Sequence, residues 1–209
     1  MTFDEAAGRC GIIAILRGVT PDAVVSVAGA LHEAGIRIVE VPLNSPDPFT
    51  SIERLASNFM NQLIVGAGTV LDPADVNLLK AHKGEIAVSP DCNPAVIARA
   101  IALGIEPLPG VFTPTEAFAA IRAGARHLKL FPAEAASPAT VKAWKAVLPK
   151  HVRLHAVGGV TPGNMQAWSD AGVAGFGIGS NLFKPGKTVA EVAAAAMTFV
   201  SAWQALKRS

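Results

Sequence analysis

The sequence alternates short apolar runs, rich in β-branched residues, with longer segments of helical periodicity, and this pair repeats eight times. A strand that is covered by helices on both faces is a nearly continuous hydrophobic run, because neither face meets water. The strict alternation therefore predicts a parallel sheet with helices between its strands. The predicted strands are residues 11–16, 37–43, 63–68, 86–89, 106–110, 127–131, 153–158 and 174–179.

Proline and glycine mark where the intervening helices start and stop. Six pairs place a capping side chain directly before a proline, whose missing N–H is not needed in the first turn. The predicted starts are Thr20-Pro21, Asp72-Pro73, Asn93-Pro94, Thr113-Pro114, Ser137-Pro138 and Thr161-Pro162, and the predicted stops are Gly35, Gly104, Gly124 and Gly172. The alanine-rich residues 190–196 are interpreted as the final helix, with a basic end at Lys207 and Arg208.

Such a parallel sheet either closes into a barrel or stays open and doubly wound. The length of 209 residues is near the lower limit for a closed barrel, and 51% hydrophobic residues supply a sizeable core. The first βα turn, residues 17–20, has no glycine-rich dinucleotide motif, and no linker divides the chain. We therefore predict an α/β fold, a single (β/α)8 TIM barrel formed by one domain over residues 1–209.

Charge and composition exclude several classes of partner. A net charge of +2 with 16% charged residues gives no basic surface for nucleic acid. The apolar stretches are interrupted before the roughly 20 residues that a membrane span needs, so no membrane partner is expected. The N-terminus has no signal-peptide pattern, and Cys10 and Cys92 lack metal-ligand spacing, which favours the reducing cytoplasm.

Lys129 is a charged residue inside a predicted strand, between Leu128 and Leu130. Because side chains alternate along a strand, the two leucines face the helices and Lys129 faces the barrel interior. Catalytic side chains of such barrels come from the C-terminal strand ends. Burial lowers the pKa of an amine, so Lys129 is a candidate Schiff-base nucleophile. A snorkelling or ion-paired lysine is the alternative interpretation.

Glu40 is a second charge inside an apolar strand and shares a face with Ile38 and Pro42. A buried carboxylate needs a partner. Glu40 either neutralises Lys129 in a structural ion pair or moves protons during carbinolamine formation and carbon–carbon cleavage, and the two roles are compatible.

Two glycine turns follow the last two predicted strands, at Gly158-Gly159 and around Gly179-Ser180. The loops after strands 7 and 8 form the recurring phosphate site of TIM barrels, where bare amides approach the phosphate oxygens. We interpret the two turns as a phosphate site, although Gly-Gly alone also occurs in ordinary tight turns.

Other polar residues at the strand ends have weaker signals. Arg17 is suited to bind a carboxylate but equally fits an exposed rim charge, and Thr69 offers either a ligand hydroxyl or a local cap. Cys92 borders the predicted pocket and is interpreted as inert. The strand residues His127 and His155 are expected near strand starts or on the helix side, without a metal cage.

At these residues the chain resembles the class I 2-keto-3-deoxy-6-phosphogluconate (KDPG) aldolases and their relatives acting on the galactonate epimer (KDPGal). The resemblance spans nearly the whole length. Five segments carry it together: Ile15-Leu16-Arg17-Gly18, Val39-Glu40-Val41-Pro42-Leu43-Asn44-Ser45-Pro46, Gly66-Ala67-Gly68-Thr69-Val70, Leu128-Lys129-Leu130-Phe131-Pro132 and Ala156-Val157-Gly158-Gly159-Val160.

The resemblance implies a role for each matched position. Lys129 matches the Schiff-base lysine and Glu40 the general acid/base. Phosphate-binding positions are matched by Gly158, Gly159, Gly179 and Ser180. The substrate-binding positions are Arg17, Asn44, Thr69, Pro90, Phe131 and Val157, with Arg17 and Thr69 near the pyruvate carboxylate and Pro90 and Phe131 in the pocket walls. The resemblance further implies a phosphorylated keto-acid substrate and no cofactor or metal. It also implies a homotrimer, and Trp144 and Trp168 are candidates for an apolar surface between its subunits.

Two departures from the gluconate pattern indicate the galactonate subgroup. Asn44 stands where gluconate-type enzymes usually carry arginine, and Val157 where they carry threonine. Val157 replaces a hydroxyl with a methyl facing the substrate carbinol, which can change the epimer preference at C4. The expected reaction is cleavage of 2-keto-3-deoxy-6-phosphogalactonate to pyruvate and glyceraldehyde 3-phosphate. The alternatives are the gluconate epimer as main substrate, or a phosphosugar-binding barrel without turnover.

Overall fold

The computed structural model describes residues 1–206, and the predicted basic end at Lys207 and Arg208 lies outside them. Its strands are β1 Ile12–Ile15, β2 Ile38–Pro42, β3 Ile64–Gly68, β4 Ile86–Val88, β5 Glu106–Leu108, β6 Gly110–Val111, β7 His127–Leu130, β8 Arg153–Val157 and β9 Gly175–Ile178. They form one nine-stranded sheet in the order β5-β4-β3-β2-β1-β9-β8-β7-β6, and every pairing is parallel. The predicted parallel α/β barrel is confirmed.

The predicted fifth strand is divided at Pro109 into β5 and β6. Proline has no amide hydrogen and cannot donate to a strand ladder. Its carbonyl instead accepts a hydrogen bond from the amide of Lys129 at 2.9 Å. Because β5 pairs with β4 and β6 pairs with β7, this bent segment joins the two edges of the sheet and closes the barrel.

The helices alternate with the strands, as the sequence pattern predicts. They are α1 Phe3–Arg9, α2 Pro21–Ala34, α3 Pro48–Asn58, α4 Pro73–Ala81, α5 Pro94–Ala102, α6 Pro114–Arg122, α7 Pro138–Lys145, α8 Met165–Asp170 and α9 Val189–Leu206. Five predicted proline starts are confirmed, and the side chains of Asp72, Asn93, Thr113 and Ser137 cap their helices. Thr20 precedes α2 but makes no capping hydrogen bond.

The predicted start at Thr161-Pro162 is wrong, because α8 begins only at Met165. Asn164 accepts a hydrogen bond from the amide of Thr161 and donates one to the carbonyl of Gly159, both at 2.9 Å. These two bonds hold the segment as a turn that braces the preceding glycines.

Helix α1 was not predicted, and it covers the N-terminal end of the barrel. Thr2 and Glu5 form a reciprocal capping box at its start. Phe3 inserts into a small apolar cluster inside the barrel, which also contains Ile13, Ile38, Ile64, Ile86, Val88 and Leu108. The opposite, C-terminal end therefore remains the mouth of the barrel.

The larger core lies between the strands and the surrounding helices. Trp144 and Trp168 belong to it and are only 7% and 6% exposed, so their assignment to an apolar surface is wrong. Their indoles face the sheet because α7 and α8 are amphipathic helices that bury one side.

Helix α9 corrects the expectation that no segment is long and apolar enough to span a membrane. Among the described residues, α9 is the one helix with the length and composition of a membrane span, since it has 18 residues and a mean hydropathy of 1.4. In the structure it packs against α2 and β1 and buries Val192, Ala196, Phe199, Val200 and Trp203. Core packing of an outer barrel helix accounts for these apolar residues.

Candidate active site

A cavity of about 460 Å³ opens at the C-terminal mouth of the barrel. Every predicted site residue except Asn44 lines it: Arg17, Glu40, Thr69, Pro90, Lys129, Phe131, Val157, Gly158, Gly159, Gly179 and Ser180. Two clefts of about 570 and 540 Å³ lie at the opposite end, beside α1. The cavity at the C-terminal mouth is the candidate site, because of these three it alone is lined by Lys129 and Glu40.

Lys129 lies on β7 with its side chain only 6% exposed. Burial lowers the pKa of its amine, the nearby Glu40 carboxylate opposes that shift, and the Arg17 guanidinium adds to it. The Nζ atom lies 4.6 Å from the centre of the Phe131 ring. A buried amine with a lowered pKa has a larger neutral fraction, and only the neutral form can attack a carbonyl.

Glu40 lies on β2 and is 2% exposed. Burial raises the pKa of its carboxyl to about 7, against the opposing effects of Lys129 and Arg17. Its Oε2 atom has no hydrogen-bond partner within residues 1–206, and no salt bridge joins it to Lys129 there. Glu40 is thus a carboxyl that can both hold and release a proton near neutral pH.

Gly68, at the end of β3, makes room for the Glu40 carboxylate. Gly68 pairs with Pro42 in the ladder between β2 and β3, and a Cβ at Gly68 would overlap the Glu40 carboxylate. The missing side chain on β3 therefore allows the carboxylate to occupy the barrel interior.

Arg17 and Asn44 form a pair at the rim. The Arg17 Nη1 atom donates a hydrogen bond of 2.6 Å to Asn44 Oδ1. Nearby, the amide of Gly18 donates to Ser45 Oγ at 3.0 Å, which joins the same two loops. Asn44 does not line the cavity, so its geometry supports positioning of Arg17 rather than direct contact with a ligand.

Thr69 follows β3 with a φ of 58°, in the left-handed region that residues with a Cβ seldom adopt. Its hydroxyl makes no hydrogen bond to the rest of the described chain, so the local-cap alternative finds no support. A strained residue that lines a cavity and keeps a free hydroxyl is a candidate ligand contact.

The two glycine turns lie side by side at the ends of β8 and β9. Gly158 and Gly159 have φ values of 107° and 65°. The Nδ2 atom of Asn181 donates a hydrogen bond of 2.9 Å to the carbonyl of Val160, and this bond joins the second turn to the first. The amides of Gly158, Gly159, Gly179 and Ser180 donate no hydrogen bond to another residue in the described range. Backbone amides that line one cavity and have no partner within the described residues are available to an anion.

Sequence reasoning missed two polar side chains of this cavity, those of Asn181 and Glu134. Asn181 directly follows Gly179-Ser180, and its position beside the predicted turn was the available signal. Glu134 had no such signal, since only the short 3-10 turn Ala133–Ala135 brings its carboxylate against Gly158 and Gly159.

Cys92 and the two strand histidines lie outside the cavity. Cys92 does not line the cavity; its thiol donates to the Glu116 carbonyl, and burial raises its pKa. His127 is the first residue of β7, as expected, whereas His155 lies in the middle of β8. Both face the barrel interior, where His127 Nδ1 is 3.0 Å from His155 Nε2. His127 shares its face of β7 with Lys129, two residues further on. No group of three or more His, Cys, Asp or Glu placed to hold a metal occurs among residues 1–206.

Comparison with known proteins agrees with this arrangement. The family model for aldolases described as KDPG and KHG aldolase matches residues 4–198. The 2-dehydro-3-deoxy-6-phosphogalactonate aldolase of Escherichia coli (strain K12) is 45% identical over 92% of this chain and 94% of its own length. The 2-dehydro-3-deoxy-phosphogluconate aldolase of Pseudomonas aeruginosa is 34% identical over 68% of this chain and 64% of its own.

A solved structure of native KDPGal superimposes with a TM-score of 0.93 at 44% identity, covering 95% of this chain and 96% of that one. Identity at this level over nearly the full length of both chains extends the likeness from the fold to the family. The chain therefore belongs to the KDPG and KHG aldolase family of carbon–carbon lyases.

Proposed function

We propose that this chain cleaves 2-dehydro-3-deoxy-6-phosphogalactonate to pyruvate and D-glyceraldehyde 3-phosphate by a class I, Schiff-base mechanism. The observation that carries the proposal is the pair of buried groups Lys129 and Glu40 in the cavity that also contains the glycine turns. The names of the galactonate relatives support this substrate. The proposal takes residues 1–209 as one catalytic domain, in agreement with the single sheet.

In this mechanism the neutral amine of Lys129 adds to the C2 ketone, and Glu40 transfers the protons that allow water to leave and the iminium to form. The Glu40 carboxylate then removes the C4 hydroxyl proton. The electrons of the C3–C4 bond flow into the iminium, which releases the aldehyde and leaves an enamine. Protonation of the enamine at C3 and hydrolysis release pyruvate and restore Lys129. The iminium is the electron sink, so these steps need neither a metal nor an organic cofactor.

The remaining predicted residues bind the two ends of the substrate. The Arg17 guanidinium, held by Asn44, and the free hydroxyl of Thr69 are suited to the carboxylate of the pyruvate half. The free amides of Gly158, Gly159, Gly179 and Ser180 are suited to the phosphate. Pro90 and Phe131 form apolar walls of the same cavity.

Val157 is the residue on which the choice of epimer depends. It is buried, ends β8 and lines the cavity directly before the glycine turn. A valine cannot hydrogen-bond to a substrate hydroxyl, whereas a threonine at this position can, and such differences discriminate between substrates.

Steady-state kinetics with both epimers tests the choice of substrate. We expect kcat/KM to be higher for the galactonate epimer in the unmodified protein, and Val157→Thr to shift the ratio toward the gluconate epimer by about tenfold. A preference of the unmodified protein for the gluconate epimer would contradict the proposal.

Trapping with borohydride separates catalysis from mere binding of a phosphosugar. Reduction in the presence of pyruvate converts an imine into a stable three-carbon adduct, which mass spectrometry locates on the peptide containing Lys129. Lys129→Met is the matched control and should give no adduct while retaining its fold by circular dichroism. If the unmodified protein forms no adduct, the Schiff-base mechanism is wrong, and the alternative of a phosphosugar-binding barrel without turnover is favoured.

We also propose that the chain is cytoplasmic and assembles as a homotrimer. Exposed apolar side chains on several outer segments are available for subunit contacts, among them Leu71, Leu78, Ile101 and Phe112. Sedimentation equilibrium should give three times the chain mass of 21.5 kDa, and a monomer mass at micromolar concentration would contradict this assembly.

A further inference from the structure

An acidic side chain stands at the phosphate end of the cavity, where a carboxylate is unexpected. The Oε2 atom of Glu134 lies 2.5 Å from the point that a Cβ at Gly158 would occupy, and 3.1 Å from the corresponding point at Gly159. Glu134 lines the same cavity as Lys129. Its side chain is exposed and makes no hydrogen bond or salt bridge to any other residue of the described chain.

The two glycines leave room for the Glu134 side chain in the position that it occupies. Any side chain at position 158 or 159 would overlap the Glu134 side chain, in addition to the strain of a positive φ. In this position the Glu134 carboxylate lies within a few ångström of the glycine backbone that would bind phosphate.

The electrostatic consequence depends on which anion arrives. The free amides of the two turns attract an anion, whereas the unpaired charge of Glu134 repels it. A free phosphate dianion has only these amides to bind and meets the repulsion in full. The phosphate of a substrate is also held by the covalent bond to Lys129 and by Arg17, so its high effective concentration at the turns offsets the repulsion.

We propose that Glu134 is a specificity-determining residue that excludes free inorganic phosphate from the glycine turns while admitting the phosphate of a bound substrate. This inference rests on the proposed function, because it takes the turns as the phosphate site. Glu134 extends from a surface turn, so its side chain has room to rotate toward solvent when a tethered phosphate enters.

Inhibition assays with inorganic phosphate as the added ligand test the proposal. Glu134→Gln keeps the shape of the side chain and removes its charge. Glu53→Gln removes an exposed carboxylate from the outer helix α3, away from the cavity, and is the matched control. We expect the inhibition constant of inorganic phosphate to fall about tenfold in Glu134→Gln, to stay unchanged in Glu53→Gln, and the difference to shrink at high ionic strength.

The kinetic constants of the cleavage reaction give a second readout that a structural role would not move. Glu134→Gln should lower KM for the phosphorylated substrate while kcat is unchanged or reduced, since the charge opposes ground-state binding and aids release of the phosphorylated aldehyde. An inhibition constant for inorganic phosphate that is equal or higher in Glu134→Gln would overturn the proposal.

Calorimetric titration with inorganic phosphate keeps this test separate from the proposed reaction. If the unmodified chain fails to cleave the galactonate substrate but Glu134→Gln binds phosphate more tightly than the unmodified chain, the proposed function fails and the role of Glu134 stands. If Glu134→Gln binds phosphate no more tightly, the role of Glu134 is wrong whatever the substrate.

Discussion

At the scale of single residues, burial moves two pKa values toward neutrality from opposite sides. Desolvation lowers the pKa of Lys129 and raises that of Glu40 to about 7. Each charge would stabilise the other, yet the two groups form no salt bridge within the described chain. A pair of this kind keeps both a neutral amine and a titrating carboxyl available, which Schiff-base chemistry requires.

The pH profile of kcat/KM should report the Glu40 carboxyl. Glu40 acts as a base only when ionised, so activity should rise with pH through about 7, the pKa of the buried carboxyl. Glu40→Gln should remove this inflection and slow cleavage by roughly 10²- to 10⁴-fold. Initial rates between pH 5 and 9 measure both effects, and an unchanged acidic limb in Glu40→Gln would assign the inflection to another group.

At the scale of elements, β3 shows how a strand is fitted to a site. Gly66 and Gly68 face the same side of the strand, between β2 and β4. A Cβ at Gly66 would overlap the backbone carbonyl of Ile86 on β4, whereas the three atoms nearest to a Cβ at Gly68 all belong to the Glu40 carboxylate. Gly66 thus preserves the sheet, and Gly68 preserves the position of the Glu40 carboxyl, the proposed acid/base.

Alanine at these two positions should have different effects. Gly66→Ala is expected to destabilise the fold by several kcal/mol, because backbone atoms of a central strand must move. Gly68→Ala should keep most of the stability and lose about 10²-fold in kcat, since the displaced carboxylate no longer reaches the substrate. Thermal unfolding and steady-state kinetics on both variants measure these outcomes; equal loss of Tm in the two would refute the distinction.

At the scale of the whole molecule, α1 and two histidines close the end of the barrel opposite the site. His127 Nε2 donates a hydrogen bond of 3.2 Å to Asp4 Oδ1. Because a neutral imidazole has only one N–H, His127 Nδ1 then accepts a hydrogen bond of 3.0 Å from His155 Nε2. His155 Nδ1 then has a lone pair with no donor among the described residues. Burial lowers the pKa of His127, and it lowers that of His155, which is 1% exposed, to about 3.

These histidines should make the fold sensitive to acid. An unfolded histidine takes up a proton below pH 6.5 while the buried one does not, so stability is lost as the pH falls from 6.5 toward 3. His155→Gln should reduce the slope of the free energy of unfolding against pH in this window by about 1.4 kcal/mol per pH unit, the effect of one proton. Urea unfolding at several pH values measures the slope, and an identical slope in the variant would count against a neutral, buried His155.

The alternation of elements, the eight predicted strands and most of the polar residues of the cavity are determined by local sequence. Periodicity and proline or glycine signals act over a few residues, and Lys129 and Glu40 were visible as charges inside apolar strands. Closure of the sheet is not local, because it depends on the break at Pro109 and on pairing between distant strands.

Only the tertiary structure decided which residues meet across that closed sheet. The inward pairing of His127 with His155, the support of Arg17 by Asn44 and the approach of Glu134 to the glycine turn all join residues far apart in sequence. Such contacts depend on barrel curvature and on side-chain direction, which hydrophobic pattern does not encode. The sequence by itself determined the elements and the chemistry at their ends, and the closed barrel determined the geometry in which that chemistry is arranged.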